Sequence, residues 1–297
     1  MTKSKVLKRI SMLLAGILAT AGATFGARNL IESDQEKASK DVLGTLEVHY
    51  LDVGQGDATF IKCGDMCMLI DAGDNNQGIN VQSYLETQGI SKIDYVIGTH
   101  PDADHIGGLD VVISSFECGK ILMPDEKKDT KTYKDVIEAI DDKKYKVTLP
   151  EVGKTYELDE AEFTIIAPND NYDDANNESI GILLKYGESS FLFTGDVEED
   201  GEQDILKNGI DIHADVYKAA HHGSRTSSCD ELLEAVKPKS IVISCGEDNS
   251  YGHPHAAILN YCLSNNIPIY RTDKQGTIVA KSDGKNITWN MSPYDGY

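Results

Sequence analysis

Thr99-His100-Pro101-Asp102-Ala103-Asp104-His105-Ile106-Gly107-Gly108 decides how this chain is read. The segment follows Tyr95-Val96-Ile97-Gly98, an apolar run of the kind that forms a buried strand. Two imidazoles and two carboxylates therefore leave one strand end within six residues. Holding them that close is costly unless positive charge lies between them. A divalent cation supplies it, with neutral histidine nitrogen and ionised carboxylate as its ordinary ligands. The plainer alternative is a polar loop whose aspartates cap a helix starting near Gly107.

Outward from this segment the pattern alternates. Strands are expected at 45–53, 57–63, 67–71, 94–98, 119–122, 162–167, 180–186, 190–194, 214–219, 239–244, 267–270 and 276–281. Helices are expected at 79–89, 107–115, 131–142, 199–207, 230–236 and 255–266. Helices outside two mixed sheets would make an αββα sandwich. The chemically interesting residues then fall in loops just beyond strand ends, where ligands gather in α/β sheets.

His100-x-Asp102-x-Asp104-His105 resembles the His-x-His-x-Asp-His metal motif of the metallo-β-lactamase superfamily, with Asp102 in place of the second histidine. Cys67-Met68-Leu69-Ile70-Asp71-Ala72-Gly73, Phe191-Leu192-Phe193-Thr194-Gly195-Asp196 and Ala220-His221-His222-Gly223-Ser224 resemble further motifs of that superfamily, in its order. Leu51-Asp52-Val53-Gly54-Gln55-Gly56-Asp57-Ala58 and Tyr251-Gly252-His253-Pro254-His255 resemble one branch, the hydrolase domain of ComEC-type competence proteins. So do Arg271-Thr272-Asp273 and Gly276-Thr277, and the resemblance covers about residues 45 to 290.

It implies a four-layer αββα sandwich holding two divalent ions, Zn²⁺ or Mn²⁺. His100 and Asp102 would hold one ion. Asp104, His105 and His221 would hold the other, with Asp196 bridging and Asp71 orienting a ligand from behind. His221 is preferred to His222 because it ends the apolar strand at 216–220, which leaves His222 to touch substrate or orient a neighbour. The superfamily's third motif supplies a histidine where this chain reads Asn176-Asn177-Glu178-Ser179, and Asn177 is the candidate for the vacated position. Replacing histidine by oxygen donors hardens that site toward Mn²⁺. Asp57 lies near the site or serves only its turn.

The chain carries 28 basic and 49 acidic residues in 297, a net charge of −21. Lys3, Lys5, Lys8 and Arg9 precede an uncharged apolar stretch at 10–27, so beyond it 24 basic residues face 49 acidic ones. Such acidity argues against tight non-specific binding to long nucleic acid, which draws affinity from clustered lysine and arginine. It leaves room for a phosphodiester anchored by metal in one cleft. Residues 1–27 read as a signal peptide or a membrane anchor with the N-terminus in the cytoplasm, both being open. Residues 28–44 read as a tether and 45–297 as one hydrolase domain. Export permits a disulfide between Cys63 and Cys67 across a hairpin, the alternative being two separate small apolar residues in strands.

The expected function is an exported, metal-dependent hydrolase in which a hydroxide shared by two ions attacks the substrate. A phosphodiesterase is the first choice, and the resemblance points to DNA. An esterase for envelope phosphodiesters of the teichoic-acid type is the alternative. A non-catalytic envelope-binding domain with a degenerate metal site is a third. No lysine or arginine lies within the metal motifs. His253, between the strand at 239–244 and a helix whose first turn would hold Pro254, is therefore expected either to act as general acid or phosphate contact or to do no more than cap and pack its loop.

Overall fold

A computed structural model describes residues 44–296. The expected leader or anchor and nearly all of the tether lie outside the described residues. One sheet collects β1 (Leu46–Tyr50), β2 (Thr59–Cys63), β3 (Met66–Ile70), β4 (Lys92–Ile97), β5 (Glu117–Leu122), β6 (Val147–Thr148), β14 (Ile278–Ser282) and β15 (Ile287–Trp289). Its spatial order is β15-β14-β1-β2-β3-β4-β5-β6. The other collects β7 (Thr155–Leu158), β8 (Ala161–Ala167), β9 (Gly181–Tyr186), β10 (Ser189–Phe193), β11 (Val216–Lys218), β12 (Ser240–Ile243) and β13 (Ile269–Arg271), in the order β13-β12-β11-β10-β9-β8-β7.

Helices α1 (Gly78–Thr87), α3 (Leu109–Ser115) and α4 (Lys131–Asp142) pack on the first sheet, and α5 (Glu199–Lys207), α6 (Asp230–Val236) and α7 (Ala256–Asn265) on the second. Two one-turn helices, α2 (Ala103–Ile106) and α8 (Thr272–Gln275), interrupt loops. The α4 helix shows why such segments form. Thr130 Oγ1 accepts the Tyr133 N–H at its start, and Val136, Ala139 and Ile140 share its buried face. Between the sheets Tyr50 meets Phe193 at 6.1 Å and Tyr95 meets Phe163 at 5.0 Å between ring centroids. Each large side chain fully buried in this layer stabilises the fold by about 1.5–3 kcal/mol. The result is the αββα sandwich expected from the sequence.

Strands β3, β4 and β5 run parallel, as do β10, β11 and β12. Their carboxyl ends therefore share one edge of each sheet. Ile70 leads into Asp71, Ile97 into His100, Phe193 into Asp196, and Lys218 into His221 and His222. Segments over 100 residues apart in the chain thus open onto one edge.

Several details differ from the sequence expectations. Strands β6, β7 and β15 are additional to those expected, because two to four residues are too few to show an alternating pattern. The helix expected at 107–115 starts earlier, as α2, breaks at Gly107-Gly108 and resumes as α3. Of the two readings of Cys63 and Cys67, separate thiols in strands is the one observed. The turn has two residues, so Cys63 pairs with Met66 and Cys67 with Lys62. That register puts the two thiols on opposite faces of the sheet, and both are free. Cys67 faces the outer helices, its thiol donating to the Lys92 carbonyl at 3.2 Å.

Candidate metal centre

The loops at this edge hold backbone conformations that a chain avoids without reason. Asp71, His221 and His222 all have φ near +50° (58°, 48° and 56°), although none is glycine. Non-glycine residues in the left-handed region cost of order 1 kcal/mol each. Three of them at the strand ends of the two sheets, beside the same cluster of rings and carboxylates, mark side chains being aimed. Gly56, at φ 143°, answers a different need, since a Cβ there would lie 2.3 Å from the Asp104 carbonyl oxygen. Only glycine lets the Gly54-Gln55-Gly56-Asp57 turn dock on the metal-motif loop, where Asp57 N–H donates to Asp104 O at 3.1 Å.

Three imidazoles converge on one carboxylate. Asp196 Oδ2 lies 3.2 Å from His105 Nε2, 3.4 Å from His222 Nε2 and 3.7 Å from His221 Nε2. Asp104 Oδ2 lies 3.3 Å from the same His222 nitrogen. Donor atoms around a four-coordinate ion with bonds of about 2.0–2.2 Å stand about 3.3–3.6 Å apart. His105 and His222 against Asp196, and Asp104 against His222, therefore have the spacing of donor atoms in one coordination shell.

The backs of the rings are held too. His105 Nδ1–H donates to Asp71 Oδ2 at 2.8 Å, and His222 Nδ1–H donates to the Ser244 carbonyl at 3.0 Å. Each bond leaves a bare Nε2 lone pair facing carboxylate oxygens. Both Nε2 atoms and Asp196 Oδ1 are buried without a hydrogen-bond partner. Lone pairs in contact with carboxylates repel unless a cation sits among them, so the donor set fits a divalent metal.

His100 belongs to a thinner set. Thr99 donates its N–H and Oγ1–H to Asp71, at 2.8 and 2.7 Å. The Thr99 and Ser179 hydroxyl oxygens, each at 3.2 Å, can then accept from His100 Nδ1–H, which leaves its buried Nε2 bare. Asp102 lines the cleft but is paired with Lys128.

Asn177 is not poised as a ligand. Its Oδ1 accepts the Glu198 N–H at 2.9 Å and the Gly201 N–H at 3.2 Å, tying down the start of α5. Ser179 is the residue that reaches the site, touching His100 and accepting the Asp196 N–H at 3.1 Å. The sequence held the clue in the same four residues, but the spacing did not say which one turns inward.

The assignment of the histidine pair is also reversed. His222, not His221, joins Asp104 and His105, because two successive left-handed residues swing the chain so that the second ring points inward. His221 stays at the rim, 22% exposed, with its Nδ1 3.1 Å from Glu198 Oε1. His253 also lines the cleft, its Nδ1 3.5 Å from Gln55 Nε2 and its ring 5.5 Å from that of His221. Pro254 lies before α7, whose N-cap is His255, and not inside its first turn.

Asp57 and Lys218 complete the surroundings. Asp57 shares a cluster with His105, Asp196 and His222. It approaches the rings from behind, 3.5 Å from His222 Nδ1 and 4.0 Å from His105 Nδ1, and it forms a buried ion pair with Lys218. From that side it orients the two rings, and its Oδ1, like that of Asp196, is buried without a hydrogen-bond partner. Burial would raise its carboxyl, but Lys218 and then His222 outweigh that and hold it at about 2.

Burial opposes charge on His222, yet Asp196, Asp57 and Asp104 raise its imidazole to about 9. Burial likewise opposes charge on His105, and Asp196 and Asp71 drive it well above its usual range. Burial, reinforced by His105, lowers His100 to about 4. The carboxylates thus demand positive charge inside a buried volume, which a divalent ion meets with neutral imidazole ligands.

The full set against the thin one predicts one tightly held ion per chain and a second that dialysis removes. Elemental analysis before and after dialysis measures this. Chelation is expected to lower the thermal midpoint, since an ion bound only by the folded chain stabilises it. A midpoint indifferent to chelator and to added Mn²⁺ would contradict the assignment.

A family model described as the metallo-beta-lactamase superfamily matches residues 51–247. ComE operon protein 3 of Bacillus subtilis (strain 168) is 30% identical over 273 residues, which cover 84% of this chain and 35% of that protein. Recombination protein 2 of Haemophilus influenzae is 30% identical over 221 residues, 72% of this chain and 26% of that protein. The chain spans about a third or less of these relatives' length. Among solved structures, YhfI from Bacillus subtilis, a metallo-beta-lactamase fold protein, matches with a TM-score of 0.51 at 10% identity, covering 82% of this chain and 100% of that one. That likeness concerns the fold alone. A family model spanning most of the domain, on an αββα sandwich whose donor residues meet at one edge, settles membership: the chain belongs to the metallo-β-lactamase superfamily.

Proposed function

We propose that this chain is a metal-dependent phosphodiesterase acting on nucleic acid outside the cytoplasmic membrane. The observation that carries the proposal is the meeting of His105 and His222 on Asp196, with Asp104 against the same His222 nitrogen, at the floor of an open cleft of about 130 Å³. The cleft lining offers imidazoles, carboxylates, amides and, at its mouth, the exposed Tyr251 phenol, but no serine or cysteine, and we assign the attack to water. Two divalent ions, when bound, make water nucleophilic near neutral pH and draw charge from the oxygens of a phosphoryl group. Asp104, His105, Asp196 and His222 would hold one ion, and His100 and Asp102 would contribute to the other.

The remaining groups position these. Asp71 and the Ser244 carbonyl fix the ring orientations of His105 and His222, and Ser179 ties His100 to Asp196. Gln55 turns His253 so that its Nε2–H is the donor left for a leaving oxygen. Oxygen-rich ligation favours Mn²⁺ at least as much as Zn²⁺. A relative named for recombination turns the choice of phosphodiester toward DNA. The uncharged segment at 10–27 behind four basic residues supports export, and a reporter fused after Tyr297 should be extracytoplasmic.

The test is a screen of the purified full chain with Zn²⁺ and Mn²⁺ on linear DNA, bis-p-nitrophenyl phosphate and phosphorylcholine esters. DNA cleavage that needs metal and is lost in Asp104→Asn supports the proposal. Turnover of the phosphorylcholine esters alone makes the chain an envelope esterase. Metal binding with no turnover makes it a binding domain. For His253→Ala, metal content and thermal midpoint should hold while kcat falls about 10²-fold on DNA, the scale of losing one hydrogen-bond donor to a developing oxyanion, since burial lowers this imidazole to about 4 and leaves it neutral. The loss should shrink for p-nitrophenolate, which leaves without a proton. An equal loss on both substrates removes His253 from that role.

A further inference from the structure

Tyr251 is 65% exposed at the mouth of the cleft that Asp104, Asp196, His222 and His253 line. Among the described residues it is the one aromatic in the set of large hydrophobic side chains left that open. Its ring lies parallel to that of His253, 5.5 Å away at 21°. The loop beneath is fastened. Asn249 Nδ2 donates to the carbonyls of Gly246 (2.9 Å) and His253 (2.6 Å), and its Oδ1 accepts the His253 N–H at 2.9 Å. Gly252, at φ 75°, makes the turn that follows. A rigid loop therefore presents a flat aromatic face to solvent beside the candidate metal centre, backed by a second ring.

We propose that Tyr251 is a stacking platform for an unpaired nucleobase whose neighbouring phosphate enters the cleft. This inference rests on the nucleic-acid reading above. Charge favours such a device. A chain of net charge −21 gains little from releasing counterions of a polyanion. Of the cations nearby, Lys128 is paired with Asp102 and Lys218 is buried against Asp57. Base stacking needs no net charge and tolerates any sequence, because every base has a π-face. Within a duplex those faces are covered by neighbouring pairs. The platform therefore selects single strands and frayed ends.

The test uses the full chain and fluorescein-labelled 12-mers: an intact single strand, the same strand with abasic linkers, and a closed hairpin duplex. Anisotropy with Ca²⁺ in place of Mn²⁺, a hard cation for oxygen ligands and a weaker Lewis acid, reads binding with little cleavage. The wild type should prefer the intact strand to both others. Tyr251→Ala should weaken that binding about tenfold, Tyr251→Phe should keep it, and neither should change binding to the abasic strand. With Mn²⁺ the same factor should appear in KM with kcat retained. A wild type that binds the abasic strand as well as the intact one overturns the platform, as does a Tyr251→Ala loss equal on both. If no DNA is cleaved but the binding pattern holds, the catalytic reading fails and the platform stands. If DNA is cleaved and Tyr251→Ala is indifferent, the reverse holds.

Discussion

Asp196→Asn is expected to lower turnover on the order of 10³-fold or more at saturating Mn²⁺, because it removes charge stabilisation shared by the whole centre. The substitution keeps shape and volume, so the packing of Phe193, Thr194 and Gly195 should survive. What it deletes is the negative charge on the oxygen that lies 3.2–3.7 Å from three imidazole nitrogens. An amide also brings hydrogens to a place where lone pairs converge. Activity should fall together with metal content, while far-ultraviolet circular dichroism should be unchanged. An Asp196→Asn variant with near-normal kcat would show that Asp196 is a turn residue after its strand and not the shared carboxylate.

The second large effect concerns stability. Lys218→Met leaves the Asp57 carboxylate buried with only imidazoles for partners, and should cost about 3 kcal/mol, the lower end for breaking a buried ion pair. The lower end applies because His222 and His105 stand 3.5 and 4.0 Å from Asp57 and still offer some compensation. Urea unfolding reads this as a lower midpoint at unchanged slope. Lys218→Met combined with Asp57→Asn should recover much of the loss, since a neutral pair leaves no stranded charge. If the double variant is no more stable than Lys218→Met, then the loss does not come from a stranded Asp57 charge.

The motifs were legible because their chemistry is local. His100, Asp102, Asp104 and His105 crowd a single strand end, and Asp196 and the His221-His222 pair each follow an apolar strand. Periodicity likewise exposed the long helices and most strands, and with them the layered architecture. The short strands β6, β7 and β15 were not legible, because an alternation of two to four residues does not stand above noise.

Other features needed contacts between distant segments. Asp57 and Lys218 are 161 positions apart, and nothing about either residue alone says that they neutralise each other in the interior. Ser179 and Asn177 are two residues apart, and only the packing of α5 shows that Asn177 is consumed in holding the helix start while Ser179 meets His100. The Cys63–Cys67 question turned on one residue of hairpin register, which sends neighbouring side chains to opposite faces.

By itself, then, the sequence determined which kinds of group gather at the sheet edge, because donor chemistry and strand ends are written along the chain. Only the tertiary structure decided which ring of the His221-His222 pair points inward. That choice lies in two left-handed backbone angles and the Ser244 carbonyl 22 residues away, a contact that exists only once β11 and β12 lie side by side.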